Sequence, residues 1–277
     1  MLRYCNRIFK DNFFMFGYNN KNIMFDFDNC DDLKVMTFNL RRDCISDKEN
    51  NWENRRDRVI KMLVDYKPDV ICFQEVMPHM AKWLYKFLKE YYSGYGVEIF
   101  TGRNILKSCF IFGEGLLVMW RKDLFSMVNK EVIKLFDGRK INLRRLLSIE
   151  LMNKNSGEKI MILNTHFCHK SEDMRNKSWR KLYEYVNDLN CDFFAGGDYN
   201  VDLSTLNSDI KLMSDKYSHN DRQNISDSSI NFFGKRKNNI IIDYIFSNKK
   251  LKYSEIITKD YGGYLSDHNP IINVYSY

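Results

Sequence analysis

The feature that most constrains this chain is a succession of apolar runs of strand length, each ending at a polar or titratable side chain. The stretch "FFAGGDYNVD" (193–202) shows the pattern most sharply: the apolar residues stop at two glycines, and Asp198 and Asn200 follow, two positions apart. Runs of the same kind are "LKVMTFNL" (33–40), "KPDVICFQEV" (67–76), "GEGLLVMWRKD" (113–123), "RRLLSIELMN" (144–153), "EKIMILNTHF" (158–167), "NIIIDYIFSN" (239–248), a run around "YSEIITKD" (253–260) and "PIINVYSY" (270–277). Nearly continuous apolar strands belong to sheets covered on both faces. Helical patterns separate them. In "NNWENRRDRVIKMLVDY" an asparagine stands near the N-cap, Glu53 lies in the first turn, and Val59, Met62, Leu63 and Tyr66 form one stripe. A second helical pattern runs over 171–189. The alternation predicts an α/β layer fold. The two glycines are expected to let the backbone turn at the strand end, so that Asp198 and Asn200 face one cleft.

No repeat or low-complexity linker interrupts the series, which predicts one domain over residues 34–277. Residues 1–33 lack a period of two or 3.6 and read as an N-terminal extension, disordered or forming an extra strand. Its start is basic and free of acids up to Asp11, as in a mitochondrial presequence, but it lacks serine and alanine richness, and it has no apolar core for secretion. Seven cysteines without a C-x-x-C pair point to reduced thiols in the cytoplasm or nucleus rather than to a disulfide framework or structural zinc. No apolar run approaches the roughly 18 residues of a membrane span. The formal charge of +7 suits a polyanionic or phosphorylated partner.

Strand after strand ends in a group able to bind metal or move protons: Asn39, Glu75, His166, Asp198 with Asn200, Asp243, and Asp267 with His268. Layered α/β folds build their sites at strand ends. Each residue alone has an ordinary structural reading: turn-forming asparagines, a solvated strand-end glutamate, a satisfied core histidine. It is their recurrence in order that marks a site. Trp52, Trp83 and Trp179 fall in helical patterns and read as packing residues, and Arg121, beside Trp120, as the partner of a nearby carboxylate.

The stretches "TFNLRRD", "PDVICFQEV", "GEGLLVMWRKD", "LNTHF", "GGDYNVD", "IDYIFSN" and "LSDHNPI", in this order over residues 35–272, resemble the endonuclease/exonuclease/phosphatase superfamily with the DNase I-like fold. "WENRRD" before "QEV", with "TGR" following, is similar to a branch of mostly uncharacterised members. The resemblance implies two packed mixed β-sheets flanked by helices in a four-layer sandwich. It also implies hydrolysis of phosphoesters with Mg²⁺ or Mn²⁺: Glu75 as a metal ligand with Asn39 beside it, and Asp267 contributing directly or through water. His268 is implied to pair with Asp243 and act on the phosphate or the attacking water, with Asp198 as the alternative base. His166 is implied on the leaving-group side with Glu114 as its carboxylate partner, and Asn200 on a phosphate oxygen. Close relatives often carry an acid where Cys168 stands. That acid's role is absent here, and Cys168 reads as a buried filler.

The expected substrate is a nucleic acid phosphodiester, for which Lys249, Lys250, Lys252 and "GKRK" (234–237) are candidate backbone contacts, although lysines at turns are ordinarily solvated. A small phosphorylated metabolite, nucleotide or lipid headgroup is the alternative enzyme substrate. A non-catalytic scaffold is a third reading, against which the intact residue set weighs.

Overall fold

The computed structural model describes residues 24–27, 32–99, 101–107, 113–135, 143–205, 208–220, 227–235 and 239–277. A six-stranded sheet has the order β10-β11-β1-β2-β4-β3, and a five-stranded sheet the order β5-β6-β7-β8-β9. The first sheet contains β1 (Asp32–Asn39), β2 (Val70–Val76), β3 (Tyr92–Glu98), β4 (Gly115–Arg121), β10 (Leu251–Ile256) and β11 (Ile271–Ser276). The second contains β5 (Phe125–Lys134), β6 (Arg145–Asn153), β7 (Lys159–His166), β8 (Asp192–Asp198) and β9 (Asp243–Ser247). Helices α1 (Trp52–Tyr66) and α2 (Pro78–Leu88) cover the first sheet, and α3 (Glu172–Asn187) and α4 (Ser208–Lys216) flank the second. The result is the four-layer DNase I-like sandwich.

Alternation along the strands builds these layers. In β2, Ile71 and Phe73 turn outward to the α1 and α2 core, while Val70 and Cys72 turn inward between the sheets. Both faces are buried, so the strand reads as one apolar run. Helix α1 starts where Asn51 accepts the Asn54 amide and buries Val59, Met62 and Leu63, with Tyr66 half-buried. Helix α3 starts where Ser171 accepts the Met174 amide. Trp52 and Trp179 are core residues, Trp83 packs edge-on against Trp52 at 5.6 Å, and Arg121 pairs with Asp69 at 3.0 Å and Asp123 at 2.6 Å. Cys168 is buried.

Two edge strands carry no clear sequence signal. β3 holds Gly94 and Gly96, and a Cβ on Gly96 would lie 2.6 Å from Ile105 and 2.7 Å from the Leu116 carbonyl. β5 is largely exposed and charged along its length, as solvent-facing edge strands are. β1 begins at Asp32, so the last residues of the expected extension belong to the sheet. Residues 24–27 lie against the domain, Phe25 packing on Tyr91 at 4.9 Å and Phe27 under the Arg121 guanidinium at 3.9 Å. Most of the extension, with any targeting segment, lies outside the described residues.

The strand directions place every candidate residue at one edge. β1 runs parallel to β2, and β7 parallel to β8, so the carboxyl ends of all four meet there. β4, β6, β9 and β11 run antiparallel to these strands, which brings their starts to the same edge. The β9–β10 turn consequently lies at the opposite end. Lys249 pairs there with Asp192 at 3.1 Å, and Lys252 with Asp32 at 2.5 Å. Those lysines therefore lie away from the edge that gathers the candidate site residues. Of "GKRK", Gly234 and Lys235 are described and the other two residues are not.

The glycines of "GGDYN" also differ from expectation. Both lie inside β8, and neither has positive φ; Asn200 makes the turn, at φ 53°. Their role is clearance. A Cβ on Gly196 would stand 3.0 Å from Cys72 of the facing sheet, and one on Gly197 2.7 Å from the Thr165 carbonyl. Gly197→Ala is expected to destabilise the protein by about 1–3 kcal/mol through overpacking against backbone, read as a lower urea midpoint. An unchanged midpoint would show that the neighbouring strand yields freely.

Candidate active site

Asn39, the last residue of β1, sits between the two sheets. Its Nδ2 donates to Glu75 Oε1 at 3.2 Å and to Asp198 Oδ2 at 3.0 Å, and its Oδ1 accepts the Arg41 amide at 2.9 Å. The two carboxylates and the amide donor fix which way the Asn39 amide points. Its oxygen faces the backbone, so Asn39 bridges Glu75 and Asp198, and this geometry does not present it as a metal ligand. Glu75 lies within a break in the β2–β4 register and has φ 55°, an uncommon conformation for a residue with a Cβ. The Arg42 amide donates to its Oε2 at 3.0 Å. Burial works against the Glu75 anion, but the neighbouring His166 ring, the Arg42 amide, His268 and the Asn39 amide bring its carboxyl down to about 2. With His166 neutral at pH 7, the two hydrogen bonds and the His268 charge hold the Glu75 anion.

His268 Nδ1 lies 2.9 Å from Asp243 Oδ2, and its Nε2 lies 3.8 Å from Asp198 Oδ2. The expected Asp243–His268 pair is therefore formed. Burial opposes the imidazolium, but the Asp243 charge and hydrogen bond, with Asp198 behind them, raise its pKa well above the ordinary histidine value. Burial and the Asp243 charge push Asp198 upward in turn. Asn200 acts on Asp198 through its backbone amide, which donates to Oδ1 at 2.9 Å, while its side-chain amide donates to the Phe167 carbonyl at 3.1 Å. That donor is committed to protein and not turned toward a phosphate.

His166 Nε2 stands 3.4 Å from Asp198 Oδ2, and its buried Nδ1 has no hydrogen-bond partner among the described residues. Glu114 does not pair with it. The Glu114 carboxylate meets Arg144 at 3.3 Å, which replaces the expected Glu114–His166 pair. Arg144 immediately precedes β6, whose antiparallel register against β7 brings it to this edge. Burial, assisted by the Arg144 charge, lowers His166 to about 4. Burial and the Glu75 charge raise Glu114, with Arg144 opposing them. Asp267 lies beside the Arg41 guanidinium at 3.7 Å and accepts from Ser266 Oγ at 3.2 Å. Arg41, Arg42 and Arg144 were not singled out from sequence. Their signal was the arginine doublet at the end of β1 and again at the start of β6.

Residues 36–268 match the model of the Endonuclease/Exonuclease/phosphatase family. The chain belongs to this family. Among its relatives, the uncharacterized protein L388 of Acanthamoeba polyphaga mimivirus is 24% identical over 88% of this chain and 100% of its own length. The CCR4-Not complex 3'-5'-exoribonuclease subunit Ccr4 of Candida albicans is 23% identical over 79% of this chain, which spans 28% of that protein. The Bacteroides thetaiotaomicron mannosyl-6-phosphatase Bt3783 superposes with a TM-score of 0.74 at 22% identity, covering 87% of this chain and 98% of its own. Proteins similar to this chain thus include one named as an exoribonuclease subunit and one named as a sugar phosphatase.

The buried neutral histidine gives a pH signature. The folded state resists protonating His166 until about pH 4, whereas the unfolded chain binds that proton near the ordinary 6.5. Between those values the unfolded state holds more protons, so stability rises with pH and is lost on acidification, by up to about 1.4 kcal/mol per unit. His166→Asn is expected to flatten urea midpoints measured from pH 6.5 to 4. Parallel curves for the two proteins would contradict a buried neutral His166.

Proposed function

We propose that the chain is a divalent-metal-dependent phosphoester hydrolase, with a nucleic acid phosphodiester as the favoured substrate. The observation that carries this reading is the meeting of Glu75, Asp198, His166 and the Asp243–His268 pair at one strand edge. Glu75 fits a hard cation: it is a carboxylate kept anionic by two amide donors. Asp267 lies on the same rim beside Arg41 and serves directly or through water. Asp198, Asp243 and His268 also offer ligand atoms within 4.8 Å of one another. His268 directs its nitrogens at two carboxylates and is held as a cation, so that trio handles protons. Mg²⁺ or Mn²⁺, when bound, supplies charge stabilisation to the phosphoryl oxygens.

The chain's own residues divide the remaining work. Asp243 holds His268 through Nδ1 and leaves Nε2 to donate to the phosphoryl group. Asp198, with its raised proton affinity, is the base for the attacking water, placed by Asn39 and the Asn200 amide. His166 stays neutral and offers a ring N–H on the leaving-group side, with Arg144 beside it. Glu114 orients Arg144.

The nucleic acid reading rests on the +7 balance and the likeness to an exoribonuclease subunit. Among the described residues, cations at this edge include the exposed Arg42 and the Glu114-paired Arg144, whereas the Lys249 turn lies at the opposite end. The likeness to a mannosyl-6-phosphatase favours a sugar phosphate as the second reading. The free cysteines Cys44, Cys72, Cys168 and Cys191 suit a reducing cytoplasmic or nuclear compartment. Among the described residues no helix is long and apolar enough to cross a membrane.

Glu75→Gln is expected to lose turnover of a generic phosphodiester and to weaken Mn²⁺ binding while keeping its melting temperature. Chelator-resistant activity would contradict the metal assignment. Asp243→Asn and His268→Ala are each expected to lower kcat by about 10² or more, and the double variant little further. Multiplicative losses would show that the two residues act separately.

Binding of an oligonucleotide to Asp198→Asn should weaken with salt at about −0.9 in log–log slope per duplex phosphate engaged. Arg42→Gln should flatten that slope and a triple change of Lys249, Lys250 and Lys252 should not. A shallow slope alongside turnover of mannose 6-phosphate would move the assignment to a sugar phosphatase.

A further inference from the structure

Arg55 is fully buried in the first turns of α1, yet it makes no ion pair with a carboxylate among the described residues. Its guanidinium donates instead to four backbone carbonyls: Nε to Asn50 at 2.6 Å, one terminal nitrogen to both Leu40 and Leu265 at 2.8 Å, and the other to Arg41 at 3.0 Å. Four of the five N–H donors of an arginine are thereby used. The rings of Trp52 and Phe233 lie 5.7 and 5.9 Å from it.

The gripped carbonyls are informative. Leu40 and Arg41 directly follow Asn39, and the Arg41 and Arg42 amides are the donors that orient Asn39 and Glu75. Leu265 lies two residues before Asp267 and three before His268. Asp267 is held from another side, its carbonyl accepting the Asn231 and Phe232 amides at 2.8 and 3.0 Å. One side chain thus joins the loop that presents Glu75's hydrogen-bond donors to the loop that presents Asp267 and His268.

We infer that Arg55 is the positioning residue of this site: its guanidinium sets the distance between the Glu75 side and the Asp267–His268 side, and so sets cation affinity without touching the cation. Lysine cannot replace it, because three donors on one nitrogen do not reach carbonyls spread around a planar fork. Without their donor, the buried Leu40 and Leu265 carbonyls are left unsatisfied. The consequence for the cation rests on the proposed metal reading, whereas the coupling of the two loops does not.

The test compares Arg55→Lys with Arg121→Lys, a buried arginine at the far end of β4 that pairs with Asp69 and Asp123. Hydrogen exchange reports the loops through the bonded amides of Arg41, Arg42 and Asn269, and calorimetry reports Mn²⁺ affinity. Arg55→Lys should speed exchange in both loops together and weaken Mn²⁺ binding by about 10- to 100-fold, as loss of an outer partner of a metal site does. Arg121→Lys should do neither at a comparable loss of melting temperature. Millimolar guanidinium should restore loop protection in Arg55→Ala. Exchange unchanged in either loop, or changed equally by Arg121→Lys, overturns the inference. Mn²⁺ affinity that falls in Glu75→Gln but not in Arg55→Lys overturns its metal half. Unaltered Mn²⁺ affinity in Glu75→Gln refutes the metal reading, and the exchange result still judges Arg55.

Discussion

The structure depends on how closely the two sheets approach at their common edge, and the Asn39 amide measures that approach. One nitrogen donates to a carboxylate of each sheet, Glu75 in the β2 bulge and Asp198 at the end of β8, partners far apart in sequence. Both bonds form only if β1 and β8 pack with little between them. Gly196 permits this, since it faces Cys72 and Thr37 where a larger residue would collide. Below Asn39, Gln74 donates to Thr37 at 3.1 Å and to Asn164 of the second sheet at 2.8 Å, and Asn164 donates to the Phe73 and Leu117 carbonyls. Such a buried polar ladder fixes register: sliding either sheet by one residue would strand every member without a partner.

The same closeness sets the electrostatics. Three carboxylates and two histidines share a largely buried volume, and their environments drive their proton affinities apart. Glu75 is held anionic by amides, His268 is held cationic by Asp243, His166 is left neutral beside Arg144, and Asp198 is pushed upward by burial and by Asp243. Separated proton affinities within one cluster are what acid–base chemistry requires. The backbone contributes as well. Glu75 and Asn200 both have positive φ, a conformation costing of order 1–3 kcal/mol where it is strained, and each is held there by hydrogen bonds to the carboxylates of the site.

Much of this was legible in the sequence, for identifiable reasons. Strands buried on both faces, such as "VICFQEV" and "FFAGGD", announce themselves by apolar continuity, and the polar residue ending each run marks the edge of the candidate site. Edge strands β3 and β5 stayed hidden because Gly96 of β3 serves clearance against Ile105 and Leu116, and β5 turns polar and charged residues to solvent. The Asp243–His268 pair followed from a resemblance in local motifs. Pairings across the sandwich did not: nothing in "FGEGLL" or "NLRRLL" says that Glu114 meets Arg144, because that contact is decided by which antiparallel neighbours start at the edge. The role of Gly196 and Gly197 was misread for the same reason. A glycine needed for clearance looks, in one dimension, like a glycine needed for a turn.

The central claim is a division of labour across Asn39, with the cation on the Glu75 side and the proton-handling groups on the Asp198 side. Anomalous diffraction from crystals soaked in Mn²⁺ tests it most directly. The account predicts a single peak about 2.1 Å from a Glu75 carboxylate oxygen, with His268 still bonded to Asp243. A peak enclosed by Asp198, Asp243 and His268, with that bond broken, would contradict it.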